Sequence, residues 1–255
     1  MRSALPDAWP ADGLEAVPDC PVCGAAGRVT LHSGLKDRAF RTAPGEWTLV
    51  RCTACNSAFL DPRPTPATIG LAYGSYYTHT DAPATSTSPV AGVRLRLAHD
   101  YRRARWGYRQ DSPIHGGRLL AKLLPSRAAI VDREVRHLPA SQGRRLLDVG
   151  CGDGAFVSYM THLGWQAEGV DPDAAAIEGA RATGLDVTEG TLAAIDDAEH
   201  VGAYDAITMS HVIEHVHHPV EELERVHRLL RPGGLLWIAT PNLEAALASR
   251  EAAGA

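Results

Sequence analysis

Hydrophobic and polar residues along the second half of the chain form a pattern that predicts strands and helices in turn. Short apolar runs predict buried strands, and longer stretches with apolar residues on one side predict helices. The predicted strands are Arg145–Val149, Gln166–Val170, Leu185–Glu189, Ala206–Met209 and Leu235–Ala239. The predicted helices between them are Ala155–Leu163, Asp173–Thr183 and Val220–Leu230. This alternation predicts an α/β fold with a Rossmann-like, doubly wound parallel sheet.

The first half of the chain has a different organisation. Two Cys-x-x-Cys pairs are separated by the predicted strands Arg28–Leu31 and Trp47–Arg51, and a turn-rich stretch follows over residues 61–90. Residues 91–140 have a helical pattern with breaks near Pro113 and Pro125. We therefore predict three regions: a small cysteine module over residues 1–65, a helical linker over 66–140 and the sheet domain over 141–255.

Composition narrows the class of protein. Of the 255 residues, 45% are hydrophobic, which suits a globular chain, and the net charge of −5 argues against a nucleic-acid partner. The sequence has no apolar run of about 18 residues, so we expect no membrane span. The beginning of the chain lacks a signal-peptide pattern, and the cysteines occur in metal-type pairs, so we expect a cytoplasmic location.

The strongest functional motif follows the first predicted strand of the sheet. The stretch LLDVGCGDGAF carries Gly150, Gly152 and Gly154 in a turn that opens a helix, where backbone N–H groups can approach a ligand. The spacing also fits the dinucleotide fingerprint, so an NAD enzyme is an alternative, as is a tight turn without a ligand. Asp148 and Asp153 would repel a pyrophosphate but suit the ammonium and sulfonium of S-adenosylmethionine. We predict that Asp148 receives the ammonium.

Acidic residues after the second predicted strand form a further part of this site. Asp171 ends the strand about 20 residues after the glycine turn, where a carboxylate can accept hydrogen bonds from ribose hydroxyls. Asp173 is the better cap of the next helix, which leaves Asp171 for the ligand. We expect Pro172 to pack on the adenine. Thr191 and Leu192, with Gly190 before them, are weaker candidates for its wall.

These motifs carry a family resemblance. LLDVGCGDGAF, EGVDPD, YDAITMSHVIEHVHHP and LLRPGGLLWIATPN, in this order over about residues 144–243, resemble the core of class I S-adenosylmethionine-dependent methyltransferases. The resemblance is greatest to the branch that methylates small molecules and sugars. It implies S-adenosylmethionine as cofactor, a small-molecule acceptor and an in-line methyl displacement. The implied cofactor-binding residues are Asp148, Gly150, Gly152, Asp171 and the turn of Ser210 and His211. Cys151, inside the glycine turn, either belongs to this set or only packs.

A histidine cluster follows the fourth predicted strand of the sheet. His211, Glu214 and His215 match the H-x-x-E-H pattern of zinc peptidases, but that site needs a long helix, and Pro219 interrupts this segment. In the methyltransferase hypothesis, His215 is the first candidate for a general base and His211 the second. Alternatively His215 only braces the loop. His217 and His218 are interpreted as solvated.

The cysteine module has the spacing of a structural zinc site. Cys20, Cys23, Cys52 and Cys55 form two knuckles whose four thiolates can complete a tetrahedron. A redox role is the lesser alternative. Together with the core, CPVCG, VRCTACNSAFLDPRPTP and LAYGSYYTH resemble bacterial methyltransferases of sugar, glycan and natural-product pathways. That resemblance implies a front region that covers the acceptor, with Tyr73, Tyr76 and Tyr77 as acceptor-site candidates or simply packing aromatics.

Two features leave alternatives open. The arginine-rich stretch Arg94–Arg109 is a solvated helix face or an anion site for a nucleotide sugar or RNA, which would make an RNA methyltransferase. The resembled family has two further strands, and this sequence has no matching segment for them. Truncation, a homo-oligomer or partner chain covering the fifth-strand edge, and a non-catalytic zinc-ribbon interaction protein are the competing explanations.

Overall fold

The computed structural model describes residues 8–38, 41–72, 89–109, 115–195 and 198–245. These residues form two compact units. One unit contains the described residues of 1–78 together with Val216–Glu221, and the other contains those of 79–215 and 222–255. The N-terminal unit therefore includes a short segment from the second half of the chain.

The N-terminal unit is built from short antiparallel strands. They are β1 (Leu14–Glu15), β2 (Arg28–Leu35), β3 (Trp47–Cys52), β4 (Ala58–Leu60) and β5 (Arg63–Pro64). Strands β2, β3 and β4 form one sheet, and β1 pairs with β5 in a second. The second strand runs four residues beyond its predicted end, through two register irregularities against β3. The ring of Trp9 meets that of Trp47 edge-on at 5.5 Å, which helps to close a small core.

Three helices precede the large sheet: α1 (Pro89–Trp106), α2 (Gly117–Leu123) and α3 (Pro125–Glu134). Their packing depends on polar contacts. Asp100 accepts hydrogen bonds from the backbone N–H groups of Gly116 and Gly117 at 2.9 and 2.8 Å. Arg102, nearly fully buried, donates to Glu134 at 2.7 Å. Part of the arginine-rich stretch therefore serves helix packing and is not the solvated face that was one interpretation of the sequence.

The large sheet has five parallel strands, with helices between them. The strands are β6 (Arg145–Val149), β7 (Gln166–Asp171), β8 (Val187–Glu189), β9 (Tyr204–Ser210) and β10 (Leu230–Ala239). The helices are α4 (Ala155–His162), α5 (Ala174–Ala182) and α6 (Pro219–Leu229). The strand order is β10-β9-β6-β7-β8, and every pairing is parallel. The predicted Rossmann-like α/β fold is confirmed.

Both faces of this sheet are covered. Leu146 and Leu147, adjacent in β6, point to opposite faces and belong to different apolar clusters. The first cluster contains Val157 of α4 and Ile177 of α5, and the second contains Val226 of α6. The strand order reverses between β6 and β9, which leaves a crevice at their carboxyl ends where ligands of open α/β sheets bind.

Strand β10 is one of the two edge strands of this sheet within the described residues, and β8 is the other. Its pairing with β9 is irregular between Leu230 and Leu235, where Pro232 interrupts the ladder, so the regular part matches the prediction. Leu235, Leu236 and Ile238 are all more than one-third exposed. The predicted homo-oligomer or partner chain over this edge stays a prediction.

Candidate functional site

The candidate site lies in the sheet unit, at the carboxyl ends of β6, β7, β9 and β10. The glycine turn leaves β6, and the N–H of Gly150 donates to the carbonyl of Val170 in β7 at 2.8 Å. The N–H of His211 donates to the carbonyl of Ala239 in β10 at 2.8 Å. These two hydrogen bonds join the glycine turn to the end of β7 and the segment after β9 to the end of β10. The sequence motifs identified these segments one at a time.

The glycine turn needs glycine at all three positions. Gly150, Gly152 and Gly154 have φ values of 72°, 54° and 75°, in the left-handed region. A Cβ on Gly150 would lie 2.4 Å from Cγ2 of Val212, and one on Gly154 would lie 2.7 Å from Cδ1 of Leu185. A Cβ on Gly152 would meet no described atom within 4 Å. Two glycines therefore satisfy packing, and Gly152 presents its backbone to open space where a ligand can approach.

Asp148 is buried beneath this turn, 1% exposed. Its Oδ1 is ion-paired with Nη1 of Arg136 and accepts a hydrogen bond from Thr208 at 2.9 Å. Its Oδ2 is buried and has no hydrogen-bond partner among the described residues. Burial raises the pKa of Asp148, and Arg136 and Thr208 oppose that rise. An unsatisfied buried carboxylate oxygen costs about 1–3 kcal/mol or more, so this atom is well suited to accept a donor from a ligand.

Arg136 is a residue of the candidate site that sequence reasoning missed. It follows α3, has a φ of 48°, and places its guanidinium carbon 3.5 Å from the centre of the Phe156 ring. The ring of Trp237 lies 5.3 Å from the same carbon. One signal was available, because an acid inside an apolar strand requires a cation nearby, but spacing alone does not identify which arginine supplies it.

The pairing of Arg136 with Asp148 also changes the electrostatic argument made from the sequence. The charge of Asp148 is compensated, and Asp153 is exposed and accepts from the N–H of Ala155 at 3.0 Å, at the start of α4. Of the two acids that were predicted to repel a phosphate, Asp148 is therefore compensated by Arg136, and that part of the prediction is wrong. The adjacent positive and negative charges of Arg136 and Asp148 would suit an amino-acid group better than a pyrophosphate.

Asp171 lies at the carboxyl end of β7, as predicted, but its carboxylate already has partners. Its Oδ2 accepts from the N–H of Gly152 and its Oδ1 accepts from the N–H of Asp173, both at 2.8 Å. Asp173 accepts from Ala175 and Ala176 and caps α5 as expected. Asp171 therefore also holds the local backbone, and its role toward a ligand stays a prediction. Each oxygen keeps a second lone pair that can accept from a ligand.

The remaining residues that were predicted to bind the cofactor differ in how deeply they are buried. Pro172 and Thr191 are exposed near the ends of β7 and β8. Leu192 is completely buried in the cluster that contains Val170, so its side chain packs in the core and cannot wall an adenine. Cys151 is also buried, and burial raises the pKa of its thiol to about 12. Of the two alternatives for Cys151, the structure favours packing.

An open pocket of about 550 Å³ adjoins Arg136. Its walls come from the end of α3, the start of α4 and the carboxyl ends of β9 and β10. They are Arg133, Glu134, Arg136, Phe156, Ser210, His211, Trp237, Ala239 and Thr240. The pocket thus combines two aromatic rings with charged groups of both signs.

The histidines after β9 have separate environments. His211 lines the pocket with a φ of 56°, and its Nδ1 lies 3.3 Å from Oε1 of Glu214. His215 is exposed at the surface, but the atoms packed around its ring lower its pKa. The charge of Glu214 opposes this effect, and His211 adds to it. A lowered pKa keeps the imidazole of His215 neutral near pH 7, as a base requires.

His217 belongs to the N-terminal unit and is not solvated, contrary to the sequence interpretation. Its side chain is 12% exposed, and its Nε2 lies 2.8 Å from the carbonyl oxygen of Pro64. His218 is 68% exposed and so matches the interpretation. Two adjacent histidines therefore have opposite environments.

The four predicted zinc ligands converge in the N-terminal unit. The sulfur atoms of Cys20, Cys23, Cys52 and Cys55 all lie within 4.8 Å of one another, and two of the pairs are 3.6 Å apart. A tetrahedral Zn–S₄ site has sulfurs about 3.8 Å apart. Each knuckle ends on a left-handed residue, Gly24 or Asn56. The donor set and spacing fit zinc, and no disulfide joins these cysteines.

The aromatic candidates Tyr73, Tyr76 and Tyr77 lie outside the described residues. Among the residues that the structure describes, no helix is both long enough and apolar enough to cross a membrane.

Comparison with known proteins connects this geometry to a family. Residues 118–253 match a family model described as "Methyltransferase domain". The "Ubiquinone biosynthesis O-methyltransferase" of Xanthomonas oryzae pv. oryzae is 36% identical over 105 residues, covering 39% of this chain and 44% of that protein. The protein of the same name from Alkalilimnicola ehrlichii is 30% identical over 168 residues, covering 61% and 65%. The matched segments thus span about half to two-thirds of these relatives.

One similar solved structure is that of an S-adenosylmethionine-dependent methyltransferase from Mesorhizobium loti. It is 25% identical, with a TM-score of 0.37, over 42% of this chain and 50% of that one.

Proposed function

The chain belongs to the methyltransferase-domain family, and from this premise we propose that it transfers a methyl group from S-adenosylmethionine to a small-molecule acceptor. The observation that carries the proposal is the buried pair of Arg136 and Asp148, with one carboxylate oxygen unpartnered among the described residues. A ligand with an ammonium and a carboxylate side by side satisfies both members of this pair.

The methionine end of the cofactor supplies those two groups. Asp148 would accept from the ammonium through Oδ2, and Arg136 would donate to the carboxylate through guanidinium N–H groups other than the one paired with Asp148. Charge-assisted hydrogen bonds of this kind are about twice as strong as neutral ones. Binding would therefore remove the cost of an unsatisfied buried oxygen.

The adenosine end would lie over the glycine turn. Gly152 offers open space at its Cα, and the lone pairs of Asp171 that remain can accept from ribose hydroxyls. Because Asp171 also accepts from the N–H of Gly152, one carboxylate would hold both the turn and the ribose. Exposed Pro172 and Thr191 remain candidates for contact with the adenine.

Bound S-adenosylmethionine supplies an electrophilic methyl group on a sulfonium. The chain would contribute alignment of the acceptor, for which the pocket beside Ser210 and His211 offers space. A hydroxyl acceptor must also lose a proton. His215, with its lowered pKa, or His211 would take that proton as a general base.

An oxygen atom is the proposed methyl acceptor. Two relatives carry names that specify O-methylation in ubiquinone biosynthesis. The rings of Phe156 and Trp237 in the pocket suit a flat acceptor such as a phenol. A sugar or natural-product intermediate, which the resemblance of the front region implies, is the alternative acceptor class.

Calorimetric titration tests the cofactor assignment. We expect S-adenosylmethionine to bind and NAD to give no heat. Asp171→Ala should weaken binding at least tenfold, whereas Asp173→Ala, which removes the cap of α5, should leave affinity unchanged. Binding of NAD with exclusion of S-adenosylmethionine would contradict the proposal.

A panel of acceptors tests the substrate class. The protein is incubated with methyl-labelled S-adenosylmethionine and catechol, a nucleoside-diphosphate sugar or bulk tRNA. We expect label in catechol. Label in the sugar alone favours the alternative acceptor, and label in tRNA alone overturns the small-molecule proposal.

The cysteine cluster is proposed to hold one structural zinc ion through four thiolates. The cluster closes β2 and β3 into a unit with few apolar residues, where a metal supplies folding energy that a small core lacks. Metal analysis should find one zinc per chain, and Cys52→Ser should lose it together with the folding of the N-terminal unit. A Cys52→Ser protein that keeps a full complement of zinc contradicts this assignment.

A further inference from the structure

We propose that Arg63 and His217 are positioning residues that anchor the end of the histidine loop, residues 211–218, to the two-stranded sheet of β1 and β5. The inference rests on the proposed function, in which this loop carries the general base. The chain has a discontinuous organisation at this loop. The segment Val216–Glu221 packs with the N-terminal unit, although the residues before and after it pack with the sheet unit.

The anchor has a backbone component. Arg63 donates from Nη1 to the carbonyl oxygen of His217 at 3.0 Å and from Nε to Oε1 of Glu15 at 2.6 Å. Glu15 and Arg63 are directly paired across the β1–β5 ladder, so the guanidinium is oriented before it meets the loop. One side chain thus connects two backbone segments more than 150 positions apart in the chain.

The anchor also has a side-chain component. Nε2 of His217 lies 2.8 Å from the carbonyl oxygen of Pro64, which can only accept, so Nε2 carries the proton. Oε1 of Glu15 lies 3.8 Å from the same nitrogen. His217 is therefore held at its backbone by Arg63 and at its ring by Pro64, two adjacent residues of β5.

Chain length makes this anchor relevant to the general base. His217 is two residues after His215, and two residues span at most about 7 Å. Fixing the carbonyl of His217 therefore limits where the imidazole of His215 can lie relative to β1 and β5. An unanchored loop would sample many positions, and a misplacement of about 1 Å can reduce a rate by about 100-fold.

Hydrogen–deuterium exchange tests the anchor without any assumption about activity. The N–H of His215 donates to the carbonyl of Val212 at 2.9 Å, and the N–H of His211 donates to Ala239. In Arg63→Ala we expect the His215 amide to exchange at least tenfold faster, with the His211 amide unchanged. His217→Ala should do the same, and His217→Gln, which keeps a side-chain N–H donor, should restore slow exchange.

Two matched controls separate anchoring from loss of folding. His218→Ala removes the exposed neighbour and should leave exchange unchanged. Arg28→Ala removes another ion pair of the same unit, with Asp61 at 3.0 Å, and should leave the His215 amide protected. If His217→Ala matches His218→Ala, or if Arg28→Ala equals Arg63→Ala, the anchor is refuted.

Methyl transfer provides the catalytic arm of the test. With the acceptor that the panel identifies, Arg63→Ala and His217→Ala should lower kcat about tenfold or more while the Kd for S-adenosylmethionine changes less than twofold. An intact anchor in a protein that binds no S-adenosylmethionine would refute the proposed function and leave the anchor standing. Faster exchange with unchanged kcat would refute the catalytic consequence.

Discussion

Two neighbouring strands of the sheet, β6 and β9, end in turns of opposite character. The glycine turn after β6 is determined by its backbone, because Gly150, Gly152 and Gly154 all have positive φ values. The histidine loop after β9 is determined by contacts from elsewhere, since His211 and His217 meet residues far away in the sequence. Backbone constraints are visible in local sequence, whereas the partners of a side chain are not.

The two turns also depend on each other. Val212, in the histidine loop, occupies the space that any side chain at Gly150 would need. The glycine turn therefore packs against the histidine loop. Variants in either segment should show how strongly their stabilities are coupled.

The largest expected effect is that of Arg136→Ala, because it leaves the carboxylate of Asp148 buried without its cation. Breaking such a pair costs about 3–5 kcal/mol. Burial raises the folded-state pKa of Asp148 above its ordinary 3.8, so stability falls as pH rises from that value. Without Arg136, which opposes the rise, the fall should continue to higher pH and so be larger in total. Urea unfolding from acid to neutral pH measures both effects.

The double variant Arg136→Ala/Asp148→Asn is the control for this prediction. It removes the buried charge together with its partner, so it should recover most of the lost stability and flatten the pH dependence. Equal stability of the single and double variants at neutral pH would show that the pair is not the buried charge pair described here.

A somewhat smaller loss of stability is expected for Gly150→Ala. The left-handed conformation costs an L-residue about 1–2 kcal/mol, and the clash with Val212 adds about 1–3 kcal/mol. Thermal unfolding should show the loss. Gly179→Ala, in the exposed part of α5 where a Cβ meets no described atom, should instead stabilise by about 0.5–1 kcal/mol. The same sign for both variants would contradict the assigned turn.

The smallest effect on the free energy of unfolding is expected for His215→Ala. Loss of a general base should lower kcat by about 100-fold or more, with little change in stability. A base works when unprotonated, and the pKa of His215 is lowered from 6.5, so the rate of the natural protein should fall only below that pH. The pH profile of methyl transfer tests this, with His218→Ala as the matched control. A wild-type rate in His215→Ala would exclude the role.

Sequence patterns predicted the sheet well because its constraints are local. Leu146, Leu147 and Val149 are buried on both faces of a central strand, and such a strand is a continuous apolar run. Asp173 was predicted as the cap of α5, because an acid directly before an Ala-rich helix accepts its first N–H groups. The knuckles of the cysteine cluster are equally local.

The parts that sequence missed depend on tertiary contacts. Arg136 reaches Asp148 and Thr208, the latter 72 positions away, and no periodicity indicates such a bond. Leu192 was predicted to face a ligand, but burial in the core decides its role. His217 and His218 are chemically identical neighbours, and their environments differ because His217 contacts Pro64 in β5. Residue type shows which chemistry is available, and packing determines where it is used.

The segment Val216–Glu221 has a consequence for how this protein can be divided or recombined. The N-terminal unit is assembled from two stretches of chain, so a graft of its leading residues onto another catalytic domain would arrive without the piece that carries His217. Transplanting the module successfully would require moving that short insert with it. In evolution, the leading residues and the segment Val216–Glu221 should therefore be kept or exchanged together, even though more than half of the chain lies between them.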